Sequence, residues 1–254
     1  PILLIHDTLP GASGYEWNKI EDELAIDHTV YTVDLLGCGR SDKSSITYTN
    51  FVYVQMISDF IKKIIGQKTD VIASGFSGSF VTMACHNEKE LFNKIMLVNP
   101  PSLTQLKQMP NRKDRLLKAA LEIPIFGTLV YHMIVSRDNI NNLFIEKMYY
   151  NPFHVDNQMA DAYYEAAHKG GYYTRFLYSS LAAKYININI CHALKALDNS
   201  IYIVEGETEP NGKAVTDDYC ASNPAIEVSV LKETKHLPHV EAPEAFLEQV
   251  KIFF

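Results

Sequence analysis

The sequence predicts an α/β fold with a mostly parallel central sheet, helices on both faces and an inserted helical cap. Short apolar runs of strand length alternate with amphipathic helical patterns in both halves of the chain. A long helical segment without strand patterns interrupts this alternation in the middle of the sequence. With 254 residues, 47% of them hydrophobic and 21% charged, the chain is long enough to bury a large core.

The alternation is regular enough to assign each element. The strand-like runs are 1–5, 28–35, 70–74, 94–98, 200–204 and 226–231. The helical patterns between and after them are 13–25, 49–65, 78–90, 215–221 and 243–253. Strands that alternate with helices form parallel sheets, because each crossover helix brings the chain back to the end of the sheet at which the previous strand began. The chain opens directly on the first apolar run, so we expect earlier strands or a leader to precede it.

The interruption covers residues 101–190 and predicts a helical cap inserted between two strands. Prolines punctuate this segment, and Asp138 and Asp156 are candidate N-caps for two of its helices. We therefore predict a core domain made of residues 1–100 and 191–254, with the cap at 101–190.

Charge and cysteine content narrow the partners. A net charge of −7 argues against nucleic acid and anionic membranes, and no apolar stretch is long enough for a membrane helix. The four cysteines are scattered without C-x-x-C spacing, which favours reduced thiols over a metal site or a disulfide framework. We expect a small-molecule substrate, no cofactor or metal, and a cytoplasmic location, while the oligomeric state stays open.

The clearest chemical signal is the segment Ser74-Gly75-Phe76-Ser77-Gly78-Ser79, which lies between an apolar strand and a helix. A nucleophile elbow needs small residues around its serine, because the strand-to-helix turn is sharp. Ser77 is the predicted nucleophile. The alternative is a Gly/Ser turn in which Ser77 only caps the helix.

A general base is expected from the loop that follows the last strand. His236 stands directly after that strand and is the predicted base, and His239 in the same loop is the competitor. A serine hydroxyl is a weak nucleophile at neutral pH, so the imidazole must take its proton during attack.

The imidazolium needs a carboxylate behind it, and Glu209 in the turn after strand 200–204 is the candidate. Glu207 shares that turn, and Asp217 or Asp218 are further alternatives. A solvated acidic turn without a catalytic role is the simplest competing interpretation.

Two backbone N–H groups are expected to stabilise the oxyanion. Gly78 follows the predicted nucleophile, and Thr8 lies in the turn after the first strand. Leu9 is a possible second choice, whereas Pro10 has no N–H to donate.

Together these residues resemble the α/β-hydrolase superfamily, in the branch of small bacterial hydrolases that includes esterases, proline iminopeptidases and carbon–carbon bond hydrolases. The resemblance is carried by His6 with Trp17, the loop Asp34-Leu-Leu-Gly-Cys-Gly-Arg-Ser-Asp42, the elbow at Ser77, Gly206-Glu-Thr-Glu-Pro210, and the block from His236 to Phe246. It implies a lid at 101–190 over the pocket, with Ser77, His236 and Glu209 as the triad. It also implies that the Asp34–Asp42 loop is structural, with Arg40 pairing with a carboxylate.

Two positions depart from the family pattern. The usual His-Gly after the first strand is His6-Asp7, which places a carboxylate near the predicted oxyanion hole, and the usual catalytic Asp is Glu209. Either change is expected to alter the chemistry, slow turnover or abolish activity.

The leading hypothesis is an esterase-like serine hydrolase that cleaves a small ester, thioester or amide through an acyl-enzyme on Ser77. The alternatives are an acyltransferase or lyase on the same scaffold, or a ligand-binding protein without catalysis. Nine of the fifteen tyrosines lie between residues 131 and 185, which suggests either an aromatic pocket or packing of the cap helices.

Overall fold

A single parallel sheet organises the molecule, and the computed structural model describes all residues from 1 to 254. Its strands are β1 (Ile2–Ile5), β2 (Val30–Val33), β3 (Thr69–Ser74), β4 (Phe92–Val98), β5 (Ile201–Gly206) and β6 (Glu227–Leu231). They lie in the order β2-β1-β3-β4-β5-β6, and every pairing is parallel. The predicted parallel sheet is thus confirmed, with strand bounds within a few residues of the sequence patterns.

Helices pack on both faces of this sheet. The α-helices are α1 (Glu21–Asp27), α2 (Asn50–Phe60), α3 (Ser77–Asn87), α4 (Leu103–Leu106), α5 (Arg112–Glu122), α6 (Pro124–Ile134), α7 (Arg137–Leu143), α8 (Asn157–His168), α9 (Arg175–Ala182), α10 (Cys191–Ala196), α11 (Gly212–Ser222), α12 (Pro238–Glu241) and α13 (Pro243–Phe253). A π-type turn, Ile61–Ile65, continues α2, and another, Phe144–Met148, continues α7. The short 3-10 helices are Gly14–Trp17, Lys89–Leu91, Pro152–His154 and Gly171–Thr174.

The alternation of side chains along the strands explains the two layers of helices. In β1, Leu3 and Ile5 pack into the cluster that contains α2 and α3, whereas Ile2 and Leu4 pack into the cluster that contains α1 and α13. A strand that is buried on both faces reads as a continuous apolar run, and β1 is fully buried. The core therefore lies on both sides of one sheet.

Residues 101–190, which lie between β4 and β5, hold helices α4 to α9 and no strand, as their sequence pattern indicates. Asp156 caps α8 by accepting a hydrogen bond from the N–H of Gln158. Asp138 is not an N-cap, because Ser136 occupies that place before α7 and accepts from the N–H of Asn139. The division of the chain into a core domain and a cap stays a prediction.

Hydrogen bonds to the Asp34 carboxylate hold the loop from Asp34 to Asp42. The Asp34 carboxylate accepts hydrogen bonds from the N–H groups of Gly14 and Arg40, at 2.6 Å each. The Arg40 side chain is exposed and forms no ion pair, so the expectation that it pairs with a carboxylate was wrong. The backbone N–H of Arg40, and not its guanidinium, contributes to the loop.

No single helix is both long and apolar enough to cross a membrane. Only the bent pair α5 and α6, whose axes differ by 95°, meets that criterion by length and composition.

Candidate active site

The candidate site lies where the strand order changes direction. From β1, the chain adds β2 on one side and then β3 on the other, so the loops after β1 and β3 open a crevice at the carboxyl edge of the sheet. Ligands of open α/β sheets bind in such crevices. Asp7 follows β1, Gly75 follows β3, Glu209 follows β5 and His236 follows β6.

The turn between β3 and α3 has its apex at Gly75. β3 ends at Ser74, Gly75 adopts a positive φ of 52°, and α3 begins at Ser77. A positive φ is the sharp, strained geometry expected of an elbow, and glycine adopts it at little cost. The elbow therefore exists, but its apex is a glycine that lies two residues before the predicted nucleophile.

Ser77 lies in the first turn of α3 and is fully buried. Its Oγ donates a hydrogen bond to the carbonyl of His6 at 2.5 Å and lies 3.0 Å from Thr8 Oγ1. It forms no hydrogen bond with His236 and does not line the cavity described below. This geometry does not support the predicted Ser77–His236 unit, because Ser77 Oγ bonds away from the imidazole.

Asp7 lies between the elbow turn and His236. Its carboxylate Oδ1 accepts hydrogen bonds from the N–H of Thr8 at 2.6 Å and from the N–H of Phe76 at 2.8 Å. Its Oδ2 lies 3.4 Å from Nε2 of His236. A Cβ atom added to Gly75 would overlap Cγ, Oδ1 and Oδ2 of Asp7, so the carboxyl group fills the space of a side chain at position 75.

The backbone N–H groups that bind the Asp7 carboxylate are those of Thr8 and of Phe76, the residue after the glycine apex, whereas the sequence predicted Thr8 and Gly78 as donors to an oxyanion. The N–H of Gly78 donates to the carbonyl of Gly75 within the turn, at 3.2 Å, and is not directed to the cavity. Both N–H groups that face the crevice are thus already bound to the Asp7 carboxylate.

His236 lies between two carboxylates. Its Nδ1 is 3.2 Å from Oε1 of Glu209, and its Nε2 faces Oδ2 of Asp7. Burial lowers the pKa of His236, but the hydrogen bonds and negative charges of Asp7 and Glu209 outweigh burial and raise the pKa to about 10. At neutral pH the imidazole is therefore protonated in this arrangement.

The other candidate acids lie elsewhere. Glu207 accepts a hydrogen bond from the N–H of Glu233 through Oε2, and so it holds a turn of the neighbouring loop. Asp217 and Asp218 are exposed on α11 and make no contact with His236. Among these acidic residues, only Glu209 is in contact with His236.

His239 is not in contact with the cavity. It is fully buried, stacks on Trp17 with 4.3 Å between ring centroids, and places Nε2 3.2 Å from Oε1 of Glu16. The other oxygen of Glu16 accepts from the N–H of Asp7 at 3.2 Å. This buried pair supports the turn that presents Asp7, because it fixes the backbone at that residue.

Asn99 and His6 hold the loops in place. Asn99 donates to the carbonyls of Lys235 and His236 and accepts from the N–H of Gly206, which joins the end of β5 to the His236 loop. The His6 ring accepts from the N–H of Leu35 at 3.0 Å and bonds the carbonyl of Asp7 at 2.6 Å. The imidazole of His6 is therefore a structural group.

A cavity of about 560 Å³ opens over these residues, within the size range of small-molecule sites. Asp7, Gly75, Phe76, Glu209 and His236 line its floor, and the helical segment contributes Ser102, Gln105, Leu143, Glu146, Lys147 and Met148. No tyrosine lines it, so the tyrosine-rich segment does not supply an aromatic wall here. No cluster of three or more His, Cys, Asp or Glu side chains is placed to hold a metal ion.

Sequence reasoning missed the roles of Gly75, Phe76 and Asn99, and it treated Asp7 only as a departure. One signal was available, because Ala73-Ser74-Gly75-Phe76-Ser77 also has small residues at the elbow spacing, with glycine at its centre. Only the backbone angle distinguishes that frame from the overlapping frame centred on Ser77.

Comparison with known proteins identifies the family. The model of the Alpha/beta hydrolase family matches residues 2–249, and this chain belongs to that family. The solved structure of a serine hydrolase involved in carbazole degradation, the CarC enzyme, superposes with a TM-score of 0.79 and 18% identity, covering 100% of this chain and 90% of that one. The epoxide hydrolase CorEH superposes with a TM-score of 0.76 and 16% identity, again covering 100% of this chain and 90% of the other.

Curated relatives match only part of the chain. A 2-hydroxy-6-oxo-6-(2'-aminophenyl)hexa-2,4-dienoic acid hydrolase of Metapseudomonas resinovorans is 29% identical over 105 residues, which cover 41% of this chain and 36% of that protein. An uncharacterized protein of Mycobacterium tuberculosis is 27% identical over 104 residues, which cover 41% of this chain and 30% of that protein. The matched region thus spans 30% to 36% of these relatives' own length.

Proposed function

We propose that this protein is a hydrolase that acts on a small molecule in the 560 Å³ cavity, with His236 and Glu209 as its proton-transfer pair. The observation that carries this proposal is the 3.2 Å contact between His236 Nδ1 and Glu209 Oε1 on the cavity wall. A carboxylate behind an imidazole fixes its orientation and stabilises its charged form. The hydrolases among the similar proteins support the same class of reaction.

The finer hypothesis, an acyl-enzyme on Ser77, has no support from the distances. Ser77 Oγ would have to leave the carbonyl of His6 and reach the imidazole, and the backbone donors that an oxyanion needs are bound to Asp7. The proposed function therefore rests on His236 and Glu209 alone.

The test is hydrolysis of a panel of p-nitrophenyl esters, a thioester, 1,2-epoxyhexane and 1-bromohexane by the wild type and by His236→Gln. Asp217→Asn is the matched control, because Asp217 is exposed and does not line the cavity. We expect turnover of at least one compound that His236→Gln loses by 100-fold or more and Asp217→Asn retains.

A second candidate, ligand binding without catalysis, is favoured by one observation: the elbow apex is Gly75, which carries no side chain to attack a substrate. Saturable binding of panel members in calorimetry without turnover of any of them supports this candidate and contradicts the hydrolase proposal.

A further inference from the structure

We propose that the Asp7 carboxylate is the nucleophile of this site, and that it attacks an electrophilic sp3 carbon to form a covalent ester that water then hydrolyses. This inference rests on the proposed function and deepens it, because it names the attacking atom and the class of substrate. The attacking residue comes from the turn after β1, whereas the elbow after β3 provides the space at Gly75 and the N–H of Phe76.

Position is the first argument. The carboxyl group of Asp7 fills the volume that a side chain on the elbow residue, Gly75, would occupy. The fold presents an elbow side chain at the carboxyl edge of the sheet, where it is exposed to the cavity. Asp7 thus offers a reactive group at that place from the neighbouring strand end, and Gly75 is the residue that leaves room for it.

The two oxygens of Asp7 have different surroundings. Oδ1 is held by two backbone N–H groups at 2.6 and 2.8 Å, from Thr8 and Phe76. Oδ2 has one long contact, at 3.4 Å to Nε2 of His236, and Asp7 lines the cavity. Oδ2 is therefore the oxygen available to attack, while Oδ1 lies where a developing negative charge is stabilised.

Leaving-group chemistry selects the electrophile. If a carboxylate adds to the carbonyl of an ester, the adduct reverts, because the carboxylate leaves far more readily than an alkoxide does. At an sp3 carbon that bears a halide or belongs to an epoxide, the carbon–halogen or ring carbon–oxygen bond breaks instead. Lys147 and Gln105 on the cavity wall are hydrogen-bond donors of the kind that receives such a departing atom.

The reaction balances in two steps. In the first, an electron pair of Oδ2 forms a bond to carbon while the bond to the halide or epoxide oxygen breaks, and an epoxide alkoxide takes a proton from solvent. Esterification removes the negative charge that faces His236, so the imidazole releases its proton to solvent and becomes a base.

In the second step, water adds to Cγ of the Asp7 ester while His236 takes a proton from that water. The negative charge develops on Oδ1, which the N–H groups of Thr8 and Phe76 stabilise. The bond between Cγ and the alkyl oxygen then breaks, and the alcohol leaves with the proton from His236. The sum is one halide or epoxide plus one water, giving an alcohol and hydrogen halide, or a diol.

The first experiment traps the ester. His236→Gln is incubated with 1,2-epoxyhexane or with 1-bromohexane, and digested peptides are analysed by mass spectrometry. We expect a hexanediol-derived or hexyl adduct on Asp7, near one adduct per protein in at least one arm, and none in the double variant Asp7→Asn/His236→Gln. Circular dichroism and urea unfolding confirm that both variants are folded. Absence of an Asp7 adduct in both arms overturns the proposal.

A second measurement follows a single turnover by the wild type in H₂¹⁸O, with whichever of 1,2-epoxyhexane and 1-bromohexane forms the adduct. Attack by Asp7 leaves ¹⁶O in the first product and adds 2 Da to the peptide that contains Asp7, because one carboxylate oxygen now comes from water. Direct attack by water gives labelled product and an unlabelled peptide, which overturns Asp7 as nucleophile and leaves the proposed function intact. Turnover of the esters alone would likewise overturn Asp7 as nucleophile and leave the proposed function intact. Absence of turnover of every panel compound by the wild type would contradict both the nucleophile proposal and the proposed function.

Discussion

The side-chain amide of Asn99 joins the loop that carries His236 to the strand end that leads to Glu209. Its Nδ2 donates to the carbonyls of Lys235 and His236 at 2.8 and 2.9 Å, and its Oδ1 accepts from the N–H of Gly206 at 3.0 Å. The contact between His236 and Glu209 therefore depends on a residue that follows β4 and takes no part in the proposed proton transfer.

Replacement of Asn99 by alanine is expected to lower the free energy of unfolding by about 3 kcal/mol, because a buried N–H and two carbonyls lose their partner. Asn99 also has a positive φ of 43°, which asparagine tolerates better than alanine. Urea unfolding measures the loss. The control is Asn93→Ala on β4, where the exposed amide bonds the half-buried carboxylate of Asp70 and the expected loss is below about 1 kcal/mol. Equal losses in the two variants would contradict a structural role for Asn99.

Replacement of Ser77 by alanine is expected to cost about 1 kcal/mol of stability and to leave turnover of the panel unchanged, because its hydroxyl only bonds the carbonyl of His6 and Thr8. Ser79→Ala is the matched control, since Ser79 is equally buried and its hydroxyl also donates to a backbone carbonyl, that of Phe76. The measurements are urea unfolding and fluorophosphonate labelling with peptide mapping. Stoichiometric label on Ser77 of the wild type would show that the serine is reactive after all.

Much of the fold follows from the sequence because periodicity is a local property. The apolar run 70–74 and the helical pattern 78–90 predict β3 and α3 within a few residues. The loops after parallel strands meet at one sheet edge, so the proximity of His236 and Glu209 also follows from strand order. Periodicity thus determines at which end of the sheet these two side chains lie.

The nucleophile position does not follow from periodicity. Small residues at both Gly75 and Ser77 allow two frames for the elbow, and the choice depends on which residue takes the positive φ. The position of the Asp7 carboxyl group depends on how closely the ends of β1 and β3 approach, which is a tertiary property. A sequence pattern marks Asp7 as unusual but does not show which space it fills.

The pKa of His236 is expected to fall from about 10 when Asp7 is replaced by asparagine, because one of its two negative partners loses its charge. Selective ¹³C labelling of histidine and NMR titration from about pH 5 to about pH 11 resolve this change, because that range includes both the ordinary histidine pKa and the raised one. Asp217→Asn is expected to leave the titration of His236 unchanged. An unaltered pKa in Asp7→Asn would mean that Asp7 does not interact with the imidazole.

The same interaction predicts how stability depends on pH. A histidine whose pKa is raised in the folded state contributes stability that is fully present below its unfolded pKa of about 6.5 and is lost as pH rises through about 10. The wild type should therefore lose unfolding free energy between these pH values, and Asp7→Asn should lose less over the same range. Urea unfolding at several pH values measures both slopes, and parallel slopes would exclude this linkage.

Gly75 and Asp7 are expected to be energetically coupled, because they compete for one volume. Gly75→Ala places a methyl group on the Asp7 carboxyl group and adds about 1–2 kcal/mol of backbone strain at a φ of 52°. Asp7→Gly removes the overlap but not the strain, so the double variant should be more stable than the sum of the single losses by at least about 1 kcal/mol. Gly66→Ala is the matched control, since Gly66 has a φ of 73° and no atom within 4 Å of an added Cβ. Asp7→Gly should not rescue Gly66→Ala, and strict additivity at Gly75 would show that Asp7 does not occupy the space of the elbow side chain.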